Sequence, residues 1–303
     1  PPRSTPKPSS AASDVYKRQI KSASLDLLLS FLWGGHPTAL KIAIPYAPPI
    51  RQGWMRFAVS GIVIFFWARY KKISLYPTRK EIKPLVQLGI LFSVQLLFLN
   101  IGISKTSVSS SVILNSTYPI WVITLGHFFI KDDNFTLLKL FGVSIAYLGI
   151  IVTYFDSLGN SDFILGNSFC LASGFLLGVR TIFLAKSSES IAPMKLLMAQ
   201  AFFGSVFFII LSAFFESDPY VFSVILLLSV LYQGAIVAGF NFIVNIWLLK
   251  NYKPSQVTVI HLSQPIFGIL IGFIVLGENI GPFVLLGAVL VILGSALVRK
   301  NSN

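Results

Sequence analysis

Asn115-Ser116-Thr117-Tyr118-Pro119 stands in the middle of an apolar run, Ser107 to Ile130, that carries no charge. Polar groups and a proline at the centre of such a run need a reason. The arrangement recurs 146 positions later, as His261-Leu262-Ser263-Gln264-Pro265 inside Ser255 to Leu276. Proline falls on proline, Ser263 on Thr117, Gln264 on Tyr118 and His261 on Asn115. Each block is followed by an apolar stretch and then by acid, Asp132-Asp133 in the first case and Glu278 in the second. The chain reads as two copies of one unit, each with a polar break at the same place.

Composition sets the class. The chain is 54% hydrophobic and only 12% charged, against about 45–50% and about 25% in soluble domains. Ten apolar runs follow one another, roughly 25–44, 52–68, 84–104, 107–130, 136–155, 163–185, 195–215, 222–249, 255–276 and 282–298. A helix of about 20 residues crosses a hydrocarbon core of about 30 Å. The runs are apolar all round, so they cannot present polar faces to water. The expected fold is therefore an all-α integral membrane protein of ten transmembrane helices, in contact with the lipid bilayer.

The net charge of +13 does not indicate nucleic acid. The basic residues fall at span ends rather than on one solvated stripe. Their distribution sets orientation. Arg69 to Lys83 holds six basic residues against the single acid Glu81, and Lys/Arg excess marks the cytoplasmic side. Alternate loops agree, which predicts both termini in the cytoplasm. Five spans per half is odd, so the second copy enters the membrane from the opposite side. That is the inverted-repeat pattern of many secondary transporters, whose sites lie near the midplane at discontinuous helices. At the same offset of 146, Gln95 falls on Asn241; at 145, Lys41 falls on Lys186 and Gly142 on Gly287. The expected units are residues 20–156 and 157–303.

Residues 1–19 are Pro/Ser-rich and basic, and no methionine precedes Met55. Asp14-Val15-Tyr16-Lys17-Arg18-Gln19 resembles the translation of a transposon end used in sequencing libraries. The expectation is that residues 1–19 are non-native or a disordered extension, outside the fold.

Candidate site residues follow from the breaks. Pro119 cannot donate to the carbonyl of Asn115, nor Pro265 to that of His261, and Pro37 leaves the carbonyl of Trp33 free. Asn115 and Tyr118 share a helix face, as do His261 and Gln264, and Trp33 and His36. In lipid such groups need internal partners or a cavity. They are read as substrate-binding, against the alternative of interhelical hydrogen bonding. Gln95, Asn241 and Asn245 join them on the same argument. Lys41 is a candidate anion contact; Arg56 and Arg180 are expected to snorkel to the interface. Gly174/Gly178 and Gly268/Gly272 are read as close helix contacts.

The absences narrow the chemistry. None of the eleven acids falls near a span centre, which argues against a carboxylate proton relay. There is no phosphate-binding loop followed by Lys-Ser/Thr and no metal-ligand spacing. No catalytic residue, metal or cofactor is expected, so the chain does not read as an enzyme.

The chain resembles EamA-type members of the drug/metabolite transporter superfamily over about residues 25–298. The resemblance rests on Leu32-Trp33-Gly34-Gly35 through Lys41, Arg56-Phe57, Tyr118-Pro119, Gln264-Pro265, and Leu276-Gly277-Glu278 before a glycine-spaced last span. The chain departs from the family at Lys131-Asp132-Asp133, where Gly-Glu is usual, and lacks the usual tryptophan in the sixth run. The resemblance implies a secondary transporter of a small polar metabolite, with substrate between spans 1, 3 and 4 of one half and 6, 8 and 9 of the other. The family's usual cargo is amino acids or related metabolites, often exported, across a bacterial inner membrane. One rival is a nucleotide-sugar or sugar-phosphate exchanger, which wants several central cations. Another is a membrane-embedded transferase, which wants convergent acid, base or metal groups.

Overall fold

The computed structural model describes residues 24–129, 137–251 and 263–300. Residues 1–19, Lys131-Asp132-Asp133 and His261 lie outside them. Among the described residues the chain is helical, with no strand.

The first run is broken into α1, residues 24–34, and α2, His36–Ala43. Gly35 forms the turn between them, and Pro37 opens α2. Pro49, whose missing N–H costs nothing at a first turn, begins α3, Pro49–Tyr70. Thr78 starts α4, Arg79–Lys105, by donating its N–H to Glu81 Oε2 at 2.6 Å. The fourth run divides into α5, Val108–Asn115, and α6, Tyr118–Phe129. α7 runs over Leu137–Phe155, α8 over Ser161–Ser188 and α9 over Pro193–Phe215. The eighth run comprises α10, Val224–Leu231, a π-helical segment, Tyr232–Asn241, and α11, Phe242–Asn251. α12, Gln264–Leu276, ends on Gly277 at φ 65°, a left-handed stop that glycine accepts without strain. α13 is Pro282–Lys300.

Four of these helical runs are long and apolar enough to cross a membrane: Arg79–Lys105, Ser161–Ser188, Pro193–Phe215 and Val224–Leu248. Helix breaks shorten the first and fourth runs and arginines interrupt α3, while Leu140–Phe155, Gln264–Leu276 and Pro282–Leu297 are shorter apolar helices. Large apolar side chains such as Phe66, Phe214 and Ile274 point outward, as a surface facing hydrocarbon requires. The protein is an all-α membrane protein with a duplicated ten-helix plan.

The two halves interleave. α4 packs against α8 and α9, α3 against α9 and the π segment, and α5 against α12. The last helix of each half, α7 and α13, meet backbone to backbone: a Cβ on Gly149 would come within 2.9 Å of the Gly287 carbonyl. At the centre Phe57, Phe92 and Phe208 form an edge-to-face cluster, with centroids 5.1 and 5.4 Å from Phe57. It fixes α3, α4 and α9 around a common depth.

Candidate functional site

The break in the fourth run has a definite geometry. α5 stops at Asn115, and Ser116 and Thr117 turn before α6 restarts at Tyr118, with Pro119 buried in its first turn. Thr117 bonds back to the end of α5. Its hydroxyl donates to the Leu114 carbonyl at 2.7 Å and accepts from Trp121 Nε1 at 3.2 Å. The break is crossed by α8 at two glycines. A Cβ on Gly174 would meet the Leu114 carbonyl at 2.7 Å, and one on Gly178 would meet Trp121 Cβ at 2.7 Å. That close approach delivers Ser173 to the break. Ser173 Oγ donates to Asn115 Oδ1 at 3.0 Å and accepts from Gln95 Nε2 at 2.7 Å. A polar chain thus joins α4, α8 and α5, and the Oε1 of Gln95 is left buried without a hydrogen-bond partner among the described residues.

Beside this chain are two buried guanidiniums. Arg180 is seven residues beyond Ser173 on the same face of α8, and its Cζ lies 4.9 Å from the Phe92 ring centroid. Phe92 is thirteen residues from either end of α4, so Arg180 reaches the middle of that helix. Tyr118 is within electrostatic range of it. Arg56 stacks 5.1 Å from the Phe57 centroid, donates through Nη1 to His36 Nε2, and is itself in electrostatic range of Arg180. A guanidinium has no lone pair to offer, so His36 accepts at Nε2 as a neutral imidazole. Arg56 is 3% exposed and Arg180 8%. The expectation that both snorkel is corrected: the stacked phenyl rings of α3 and α4 hold them inward. Arg56 Nε and Arg180 Nε and Nη1 have no hydrogen-bond partner, and no acid pairs with either residue among the described residues. An unpaired buried charge costs several kcal/mol, so this is the least comfortable place in the bundle.

Lys41, expected as an anion contact, is engaged at one end of the bundle instead. Its Nζ donates to the Thr106 carbonyl and lies 3.2 Å from Glu278 Oε1. Glu278 in turn caps α5, accepting from Val108 N at 2.8 Å and Ser109 N at 3.3 Å. At the same end Glu216 caps α3 through Ile50 N and Arg51 N, at 2.8 and 2.7 Å. Carboxylates at helix N-termini are stabilising, and each of these ties one half of the chain to the other.

Other sequence candidates lie apart from the centre. Trp33 packs edge-on to Phe242, 5.8 Å between centroids, and joins Leu29 and Leu248. Gly35, between it and His36, keeps right-handed helical dihedrals, with Gly35 N bonded to the Phe31 carbonyl and Ala39 N to the Gly35 carbonyl; Trp33 meets Phe242 of α11 while His36 meets Arg56 of α3. Asn241 donates to the Leu29 carbonyl at 3.1 Å. Asn245 is half-buried in α11, and its Oδ1 has no hydrogen-bond partner among the described residues. Gln264 opens α12 with Pro265 in the first turn, and its carbonyl lies against Gly34. Sequence reasoning missed Ser173, which reads as one more small residue in an apolar run. It also missed Gln52 and Gln233, both fully buried, where Gln233 Nε2 of the π segment donates to Gln52 Oε1 of α3 at 3.0 Å. The π segment itself carries no proline to announce it. π turns concentrate at functional sites.

Among the described residues no group of His, Cys, Asp and Glu could hold a metal ion. A groove of 310 Å³ between α3 and α9 is lined by apolar side chains including Phe65, Phe66 and Phe202. These face outward, which makes it a lipid-facing groove and not the polar centre.

Comparison with known proteins agrees with the duplicated plan. The model of the EamA-like transporter family matches residues 21–155 and again 164–300. An uncharacterized transporter of Bacillus subtilis, YoaV, is 22% identical over 88% of this chain and 92% of its own. An uncharacterized transporter of Archaeoglobus fulgidus is 26% identical over 91% and 97%. A probable amino-acid metabolite efflux pump of Salmonella typhimurium is 24% identical over 90% and 93%. One crystal structure, 12% identical, superposes on 91% of this chain and 96% of its own with a TM-score of 0.66, which speaks to the fold. The chain belongs to the EamA-like transporter family.

Proposed function

We propose that this EamA-like transporter is a secondary transporter that moves a small polar metabolite by alternating access, in the direction of export. The observation that carries the reading is the polar centre. Around the break between α5 and α6, Asn115, Tyr118, Gln95, His36 and Arg56 of the first half come together with Ser173 and Arg180 on the unbroken α8 of the second. Discontinuous helices at the midplane are how many transporters expose backbone and side-chain polar groups to a substrate. The efflux pump among its relatives supports an amino acid or a related metabolite as cargo.

Residues 20–156 and 157–303 are taken as the two repeats, inverted relative to each other, with both termini cytoplasmic in a bacterial inner membrane. On that orientation Lys41, Glu278 and Glu216 lie at the external end. His261, Gln264 and Asn245 are assigned to the second half's share of the pathway, and Trp33 and Asn241 to its wall. The test is counterflow in proteoliposomes reconstituted with the full chain. Accelerated exchange of a labelled amino acid or related metabolite over protein-free vesicles supports transport; its absence across a broad metabolite panel rejects it.

A further inference from the structure

We infer that Arg56 and Arg180 together form the binding site for a carboxylate, and that the substrate is a small organic anion. This rests on the reading of the polar centre as a transport site and adds the chemical class of the cargo.

The inference starts from charge. Two guanidiniums are buried within electrostatic range of one another, and no acid pairs with either among the described residues. The other charged groups near the ends of the helices behave differently. Lys41 has Glu278, Lys105 has Asp162 at 3.1 Å, and Lys195 has Glu81 at 2.8 Å. Arg51, buried at the rim, has no ion pair among the described residues either, but its Nη1 and Nη2 donate to the Pro219 and Glu216 carbonyls at 3.3 and 3.1 Å, and the Glu216 carboxylate caps its helix; Arg56 and Arg180 have no described carboxylate beside them. Their uncharged contacts hold them without neutralising them: Phe57 and Phe92 offer ring faces, and His36 offers one lone pair. Arg56 Nε and Arg180 Nε and Nη1 remain open donors.

The complement of this arrangement is an anion. Planar carboxylates suit guanidinium donors, and charge-assisted bonds of this kind are about twice as strong as neutral ones. A carboxylate brought between the two arginines would lower their mutual repulsion and supply the missing acceptors at once. The rest of the ligand meets neutral groups. Gln95 Oε1 is an open acceptor, and the Asn115–Ser173 pair lies beside it. Phosphate is the lesser fit, because it brings three strong acceptor oxygens and the third central cation it would want, Lys41, is held by Glu278 and Thr106.

Arg56 and Arg180 are also unrelated by the internal repeat. At the offset of 145 that pairs Lys41 with Lys186, Arg180 falls on Gly35, and at 146 Arg56 falls on Phe202. A structural pair required by the packing of both repeats would have a symmetric counterpart. This pair occurs once, across the two halves, as a single-ligand site would.

The test uses the purified full chain and matched probes: lactate, succinate and glutarate against lactamide, succinamide and glutaramide, with inorganic phosphate as a further arm. Thermal unfolding is followed for each. At least one acid raises the melting temperature in a saturable manner while its amide does not, and Arg180→Met lowers the affinity for that acid by about tenfold or more. Arg180→Met also raises the melting temperature of the ligand-free protein, because a buried charge has gone. Equal response to acid and amide, response to phosphate alone, no response to any acid, or an acid response unchanged in Arg180→Met each overturns the inference. If Arg180→Met fails to fold, the acid–amide comparison in the unaltered protein decides. The two readings fail separately: counterflow of neutral metabolites without acid binding removes only this inference, and acid binding without any flux removes only the transport reading.

Discussion

The rim of the bundle at Lys41 and the centre at Arg56 use the same kind of residue in opposite ways. At the rim Glu278 lies 3.2 Å from Lys41 and caps α5, and Glu216 caps α3 and accepts nothing it cannot use. At the centre two arginines stack on phenyl rings and no described acid answers them. The rim is closed electrostatics that fastens one half to the other. The centre is open electrostatics, stable only because the rest of the fold over-determines it. The difference separates charges that hold the fold from charges that await a ligand.

The largest effect that would sharpen this contrast is at Arg56. Arg56→Gln keeps an amide near His36 but removes the charge. Hydrogen bonds to charged groups are worth about 1.5–3 kcal/mol, so proteoliposome transport should fall by about tenfold to a hundredfold, while folded yield stays close to that of the unaltered protein. A loss of folded protein equal to the loss of transport would place Arg56 with the rim residues.

At the rim the expected effect is on stability. Glu278→Gln should destabilise the protein by about 1–3 kcal/mol, because it removes both an ion pair and a charged cap. Adding Lys41→Met should recover part of that loss, since the lysine no longer stands unpaired; thermal unfolding of the single and double variants measures the coupling. Strict additivity of the two would show that the 3.2 Å pair contributes nothing.

How much of this was legible in the sequence follows the same line. The membrane class, the duplication and the break at Asn115–Tyr118 were readable, because apolar length and proline act locally. The central arginines were visible but misjudged. Distance from a span end counts residues along one helix, whereas the direction of Arg180 is set by Phe92 on another. Ser173 was not legible at all, since its role comes from the approach of Gly174 and Gly178 to α5 and α6. The π segment was missed for a related reason: Gln233 finds Gln52 across α3, and no local residue signals that bond.

A moderate effect is expected at Gln95. Gln95→Leu removes the donor to Ser173, releases the chain to Asn115, and removes the Oε1 that has no hydrogen-bond partner among the described residues. One neutral hydrogen bond to substrate is worth about 0.5–1.5 kcal/mol, so a roughly threefold to tenfold loss of affinity should follow, read by the same thermal titration that identifies the ligand.

The smallest effect belongs to Asn241, the residue that the repeat superposes on Gln95. Its environment differs despite the shared register. Asn241 is fully buried and donates to the Leu29 carbonyl at 3.1 Å, fastening the π segment to α1. Its Oδ1 has no hydrogen-bond partner among the described residues, so it gains little beyond that single bond. Interhelical hydrogen bonds in membranes average about 0.6 kcal/mol. Leucine fills much of the same volume and leaves the Leu29 carbonyl short of one donor. Asn241→Leu should therefore lower thermal stability by about 1 kcal/mol or less and leave substrate affinity within error of the unaltered protein. Gln95→Leu should do the reverse, with affinity falling and stability nearly kept. If Asn241→Leu costs as much affinity as Gln95→Leu, the site is symmetric about the repeat axis, and the boundary drawn between the α4–α5–α8 centre and the α1–α11 wall is in the wrong place.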